Sequence, residues 1–142
     1  MTTAIQSFAN HKRIDPWYHY GVFGLALLAS IIAVVQLCRG AGSAWQLAVS
    51  ALLLVLVVKV RSYALRVQDR IIRLEETLRM QALLDEPLRA RIAELRPGQF
   101  VALRFAADGE LAARMEEALR ENLTGPVIKQ RIQTWRPDTF RV

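Results

Sequence analysis

The side chains with the widest chemical repertoire in this chain of 142 residues are His11, His19 and Cys38. An imidazole can hold a metal ion or move a proton near neutral pH. The two histidines stand eight positions apart, and Asp15 is the one further donor near them. Metal binding is open to this set, but an interfacial role suits it better, and no metal site is expected. His19 lies between Tyr18 and Tyr20, a setting that suits a polar–apolar interface better than a ligand sphere. Cys38 is the only cysteine, which excludes an internal disulfide; S-acylation and a small packing role are both open to it. Glu116, Glu117 and Glu121 stand at helical spacing from Arg114 and Arg120, the arrangement of surface ion pairs rather than of an acid and a base. There is no glycine-rich phosphate loop, nucleophile elbow, HExxH or CxxC. No catalytic residue and no cofactor is expected. An enzyme reading would rest on His11, His19 and cytosolic carboxylates around a bound metal.

The elements that carry these residues are set by where charge is missing. The chain is 53% hydrophobic and 23% charged, too apolar for a disordered protein. Between Pro16 and Val58 the only formal charge is Arg39. Residues 16–38 would make a helix about 35 Å long, enough for the roughly 30 Å hydrocarbon core of a bilayer. Asp15 can cap its first amides, and Pro16 suits the first helical position. Residues 44–58 are nearer the lower limit for a span, with Lys59 able to snorkel outward. Between them lies Arg39-Gly40-Ala41-Gly42-Ser43, whose glycines suit a reversal, and Ser43 with Gln46 matches a capping box. A loop this short makes the two helices antiparallel neighbours. Trp17, Tyr18, Tyr20, Trp45, Lys59 and Arg61 fall where anchors to the membrane interface belong. Two alternatives stand against this reading: buried helices of a soluble protein, and a cleaved signal peptide for the first run. Small residues recur at helical spacing, namely Ala26, Ala29, Ser30 and Ala33 on the first helix and Ala44, Ala48 and Ala51 on the second. Such faces let helix backbones approach closely in lipid, which suits packing within the hairpin. Neither run has an ionisable residue at its centre, so a transporter acting alone is not expected.

Topology follows from the cations. Lys12, Arg13, Lys59, Arg61, Arg66, Arg70 and Arg73 flank the outer ends of the hairpin, against Arg39 alone in the loop. The positive-inside rule then places both termini in the cytoplasm. No Gly or Pro occurs from Ser43 until Pro87, so the second helix is expected to run on past the membrane. Val60, Ala64, Val67, Ile71, Leu74 and Leu78 are spaced 4, 3, 4, 3, 4, a heptad seam with Arg70 and Glu75 at its flanks. Leu65 and Ile72 widen the stripe. Two readings remain open: self-association of the chain, and packing of its own later helices on the stripe. The net charge of +6 follows largely from topology, and acids interleave the bases after residue 73, so nucleic acid is not expected as a partner.

Residues 85–142 read as a small helical bundle. Expected are a helix from Pro87 to Leu95 carrying Leu88 and Ile92, and a second over Gln99–Ala106 with Phe100, Leu103 and Phe105. Asp108 is expected to cap a third helix, through Asn122, with Leu111, Met115 and Leu119 on one face. Thr124 and Pro126 open a fourth, containing Val127, Ile128, Ile132 and Trp135. The tail Trp135-Arg136-Pro137-Asp138-Thr139-Phe140-Arg141-Val142 either docks on the bundle or presents a partner motif.

QSFANHKRIDPWYHYGVFG (6–24), KVRSYALRVQDRIIRLEETLR (59–79) and IKQRIQTWRPDTFRV (128–142) resemble a family of small, uncharacterised bacterial two-span inner-membrane proteins. The resemblance runs over almost the whole chain and implies an inner-membrane location and a stand-alone protein; it brings no site residues with it. The expected fold is an all-α membrane protein with four parts. These are a cytosolic tail (1–15), a transmembrane hairpin (16–58), an amphipathic juxtamembrane helix (59–84) and a cytosolic bundle (85–142). The function expected is a non-enzymatic, membrane-anchored scaffold or interaction protein. Its partners would be the lipid bilayer and either a second copy or another membrane protein. The alternative is an accessory subunit of a larger transport or respiratory complex.

Overall fold

A computed structural model describes residues 6–10 and 14–138. His11, Lys12 and Arg13, and the tail from Thr139 onward, lie outside the described residues. The described chain is all-helical, with an isolated antiparallel bridge between Ala106 and Trp135 in place of any strand. A π-helical turn, Trp17–Val22, leads into α1 (Phe23–Cys38), and α2 runs over Ala44–Leu83. A 3-10 turn (Arg89–Glu94), α3 (Pro97–Leu103), α4 (Asp108–Arg120) and α5 (Gly125–Arg131) follow. These elements form two compact units. One is the hairpin, up to Arg66; the other begins at Val67 and includes the described residues 6–10.

In the hairpin unit the local signals act as their chemistry requires. The carboxylate of Asp15 accepts from the Trp17 and Tyr18 amides, at 3.1 and 3.4 Å. The first turns are wound wider than an α-helix, with the Phe23 amide reaching back five residues to the Tyr18 carbonyl. At the far end α1 closes in a Schellman motif: Gly40 N–H donates to Leu37 O at 3.0 Å and Ala41 N–H to Gln36 O at 2.9 Å. Gly40 has φ +70°, the left-handed angle this closure demands and a side chain resists. Ser43 and Gln46 make the reciprocal capping box. Gln46 N–H donates to Ser43 Oγ at 3.2 Å, and Ser43 N–H to Gln46 Oε1 at 2.9 Å.

In the second unit one core gathers Met80 and Leu84 from the end of α2, Ile92 and Leu95, Phe100, Leu103 and Phe105, Leu111 and Met115 of α4, and Ile128 and Ile132. Trp135 packs against its edge. Four boundaries differ from the sequence reading. Residues 89–94 wind as a 3-10 turn rather than as an α-helix opened by Pro87. The second helix starts at Pro97 and ends at Leu103, so that Phe105 and Ala106 are free to pair with the tail. Asp108 does not cap α4: the N-cap is Ala107, and Asp108 instead accepts from Arg79 Nε at 2.9 Å. The last helix stops at Arg131, because Ile132 turns to an extended conformation and carries Trp135 onto Phe105, ring centroids 5.1 Å apart. The described part of the tail docks on its own unit. Arg136 N–H donates to Phe105 O at 2.8 Å, the Asp138 carboxylate pairs with Arg104 at 2.9 Å, and Asp138 N–H reaches Gln6 Oε1.

Candidate functional site

From Val67 onward, α2 presents two unlike faces. Glu76 and Met80 are buried against the bundle, Ile72 is buried on the same face, and the Arg79 side chain is largely so. Glu76 anchors this face: its carboxylate meets Arg79 Nη1 at 2.8 Å and Arg136 Nη1 at 3.1 Å. The same Arg79 guanidinium donates to Asp108 and to the Ala106 carbonyl, at 2.6 and 2.7 Å. One guanidinium thus ties α2 to the start of α4 and to the bridge residue, its charge matched by two carboxylates. Turned about 100° per residue, the helix puts Val67, Ile71, Leu74 and Leu78 roughly opposite. These four are exposed at 57, 50, 61 and 59%. The bundle packs on the Glu76–Met80 face and leaves the seam open, against the reading in which the later helices cover it. In the hairpin unit Val60 is exposed and Ala64 half-buried.

Of the expected interface anchors, Trp17, Tyr18 and Tyr20 lie in the turn leading into α1 and Trp45 at the start of α2, while Lys59 and Arg61 stand well inside α2. Trp17, Tyr20, Trp45 and Lys59 are exposed. Tyr18 is half-buried; its hydroxyl donates to Val57 O at 3.2 Å, and the Arg61 guanidinium lies 5.4 Å from its ring centroid. Of the small residues, Ala26 and Ala33 are buried, and Ser30 Oγ lies 2.9 Å from Ala26 O and 3.2 Å from Ser50 O. Ala29, Ala44, Ala48 and Ala51 are exposed, while Ser50 of α2 is buried. A buried serine in an apolar run was not singled out from sequence; its hydroxyl bonds to Leu47 O, three residues back.

Of the residues with chemical repertoire, His19, Glu117 and Glu121 have partners within the fold. His19 Nδ1 lies 2.7 Å from the Asp15 carbonyl, and Cys38 is an exposed free thiol. Glu117 bonds Arg114 at 2.7 Å and also Arg131; Glu121 bonds Arg120 and Arg131 at 2.9 and 2.7 Å. Arg131, overlooked in the sequence, thereby ties α5 to α4. Hydrogen bonds from Arg120 and then Arg131 hold the Glu121 carboxyl below its ordinary range. Arg91 does the same for Glu94. Gln99, also not foreseen, is buried and fully bonded, accepting from Arg96 N–H and donating to Ala118 O and Leu123 O. An open depression of about 550 Å³ beside α2 has Arg73 and Arg89 on its rim and Phe100 in its wall.

A model of the family of unknown function DUF6526 matches residues 1–142. The chain belongs to that family. No curated protein and no solved structure matches it. DUF6526 membership covers the hairpin and the bundle alike, so the two units are parts of one family architecture.

Proposed function

We propose that this DUF6526 chain is a membrane-anchored, non-enzymatic interaction protein of the bacterial inner membrane. The hairpin spans the bilayer twice, both termini are cytoplasmic, and a helical module is held at the inner leaflet. The observation that carries this reading is the outward face of the hairpin. Both long helices are apolar enough to cross a membrane, yet only 6% of the apolar stretch of each is buried. Leu25, Leu28, Ile31, Leu52 and Val55 all point outward. A soluble protein does not expose two continuous apolar helices to water, whereas lipid solvates them at no cost. The bonds from Ser30 and Tyr18 to carbonyls of α2 support a retained hairpin over a cleaved leader. The excess of cations at the outer ends of the hairpin supports the cytoplasmic assignment.

A carbonate wash of membranes tests the anchor, and a fluorescent-protein fusion at residue 142 tests the side. Retention in the pellet with a fluorescent fusion is expected. Extraction into the wash, or a dark fusion that is active when replaced by periplasmic alkaline phosphatase, overturns the reading. Partner capture by crosslinking in intact membranes then defines what the module binds.

A second reading, an accessory subunit of a larger transport or respiratory assembly, draws on a lateral groove of about 430 Å³ in the hairpin. Ala29, Ala33, Val49 and Leu53 line it, and Trp45 stands at its end. A neighbouring span would fill that groove, and the chain would comigrate with a large complex on native gels.

A further inference from the structure

We infer that the partner of the α2 seam is a second copy of this chain, joined to it as a parallel two-helix coiled coil over Val67–Leu78. The inference rests on the membrane-anchored reading above. Val67 and Leu74 take heptad position d, and Ile71 and Leu78 position a; the central pair, Ile71 at a with Leu74 at d, is the combination that favours two strands. These side chains are exposed, while residues one and two positions away on the opposite face, Ile72, Glu76 and Met80, are buried. The division of labour along the helix leaves the a/d face as the surface through which α2 can still bury apolar area.

Charge selects the occupant. With this register Arg70 falls at position g and Glu75 at the e position of the next heptad, five residues on. In a parallel homodimer the g residue of one helix meets that e residue of the other. The pair therefore forms twice, Arg70 to the partner's Glu75 and the reverse, with no like charges opposed. Neither residue has an ion pair among the described residues, so both are available. An antiparallel copy would lose this match. The membrane enforces the parallel arrangement: two chains inserted with the same topology present α2 in the same direction and at the same depth. It also supplies what a short seam lacks. Fewer than three heptads are too few for a stable coiled coil in dilute solution. Tethering in a plane raises the effective concentration to about the millimolar range, where a weak seam closes.

The test uses the full chain in native membranes, in a Cys38→Ser background so that no other thiol is present. Single cysteines are placed at Val67, Ile71, Leu74 and Leu78, and at the outward Arg66 and Asp69, and mild oxidation is applied. Disulfide dimers are expected at the first four positions, at least tenfold above the other two. Within Leu74→Cys, Arg70→Glu and Glu75→Arg should each lower the yield severalfold, and the double exchange should restore it. Equal yields at all six positions, no dimer at any, or failure of the double exchange to rescue overturns the parallel dimer. A carbonate wash of the same membranes separates the two levels. A chain washed out overturns the anchored reading and the tether with it; a chain retained without the heptad phase overturns the dimer alone.

Discussion

At the scale of single residues, the strongest constraint lies on Glu76. It is 5% exposed and answers two guanidiniums, one of which, Arg79, is itself largely buried. Removing one member of a buried ion pair leaves an uncompensated charge, which costs about 3 kcal/mol or more. Glu76→Ala should therefore lower the thermal unfolding midpoint of the detergent-solubilised chain by several degrees, followed by circular dichroism. Glu94→Ala, which removes an exposed Arg91 partner, should leave it where it was. Acid acts through the same chemistry. The Glu121 carboxyl sits below its ordinary value because of Arg120 and Arg131, so its contribution is complete above the usual glutamate range. That contribution is lost as pH falls through the depressed folded value. Glu121→Gln should accordingly lower stability slightly at neutral pH and give a shallower loss on the acid side, so that the two proteins converge there. A steeper acid limb in the variant would contradict this assignment.

At the scale of elements, short-range signals were legible and long-range choices were not. Asp15, Gly40 and the Ser43–Gln46 box act within a few residues of themselves, so sequence spacing sufficed to place them. The end of α5 was not readable, because Trp135 leaves the helical path to reach Phe105, thirty residues earlier in the chain. Asp108 had the right type and place for a cap, but Arg79 from α2 claims its carboxylate. The stripe on α2 was too wide to say which part would pack internally; only the folded chain shows Ile72 buried and Ile71 at the surface. Nor did spacing distinguish the buried Ala26 and Ala33 from the exposed Ala48, since each lies in a run rich in alanine. A close approach of α3 and α5 was equally invisible. A Cβ on Gly125 would stand 2.9 Å from the Gly98 carbonyl oxygen, a backbone atom that cannot swing aside. Gly125→Ala should destabilise the module by about 1–3 kcal/mol, as overpacking does. Gly109→Ala, in the first turn of α4 with open space around its Cβ, should instead be neutral or stabilising. Equal midpoints for the two variants would mean that α3 and α5 do not meet as described.

At the scale of the whole molecule, the distribution of charge and the position of one thiol make topology directly measurable. The proposed arrangement puts the Arg39–Ser43 reversal in the periplasm and everything after Lys59 in the cytoplasm. Cys38 ends α1 beside that reversal, is exposed, and is the only cysteine in the chain. A charged maleimide that cannot cross lipid should then label the chain in intact spheroplasts without permeabilisation, and should fail to label it in sealed inside-out vesicles. Trypsin applied to the same spheroplasts should cut at Arg39 alone, leaving residues 40–142 as one fragment, because every other basic residue lies on the far side or beyond it. In inside-out vesicles the pattern must invert: the bundle is degraded and Cys38 is protected. In the inside-out vesicles labelling and cleavage report on opposite ends of one hairpin, so they cannot both reverse through local accessibility. Maleimide labelling in the inside-out vesicles, together with a bundle resistant to trypsin there, would place the cationic ends outside and overturn the cytoplasmic module on which any interaction role depends.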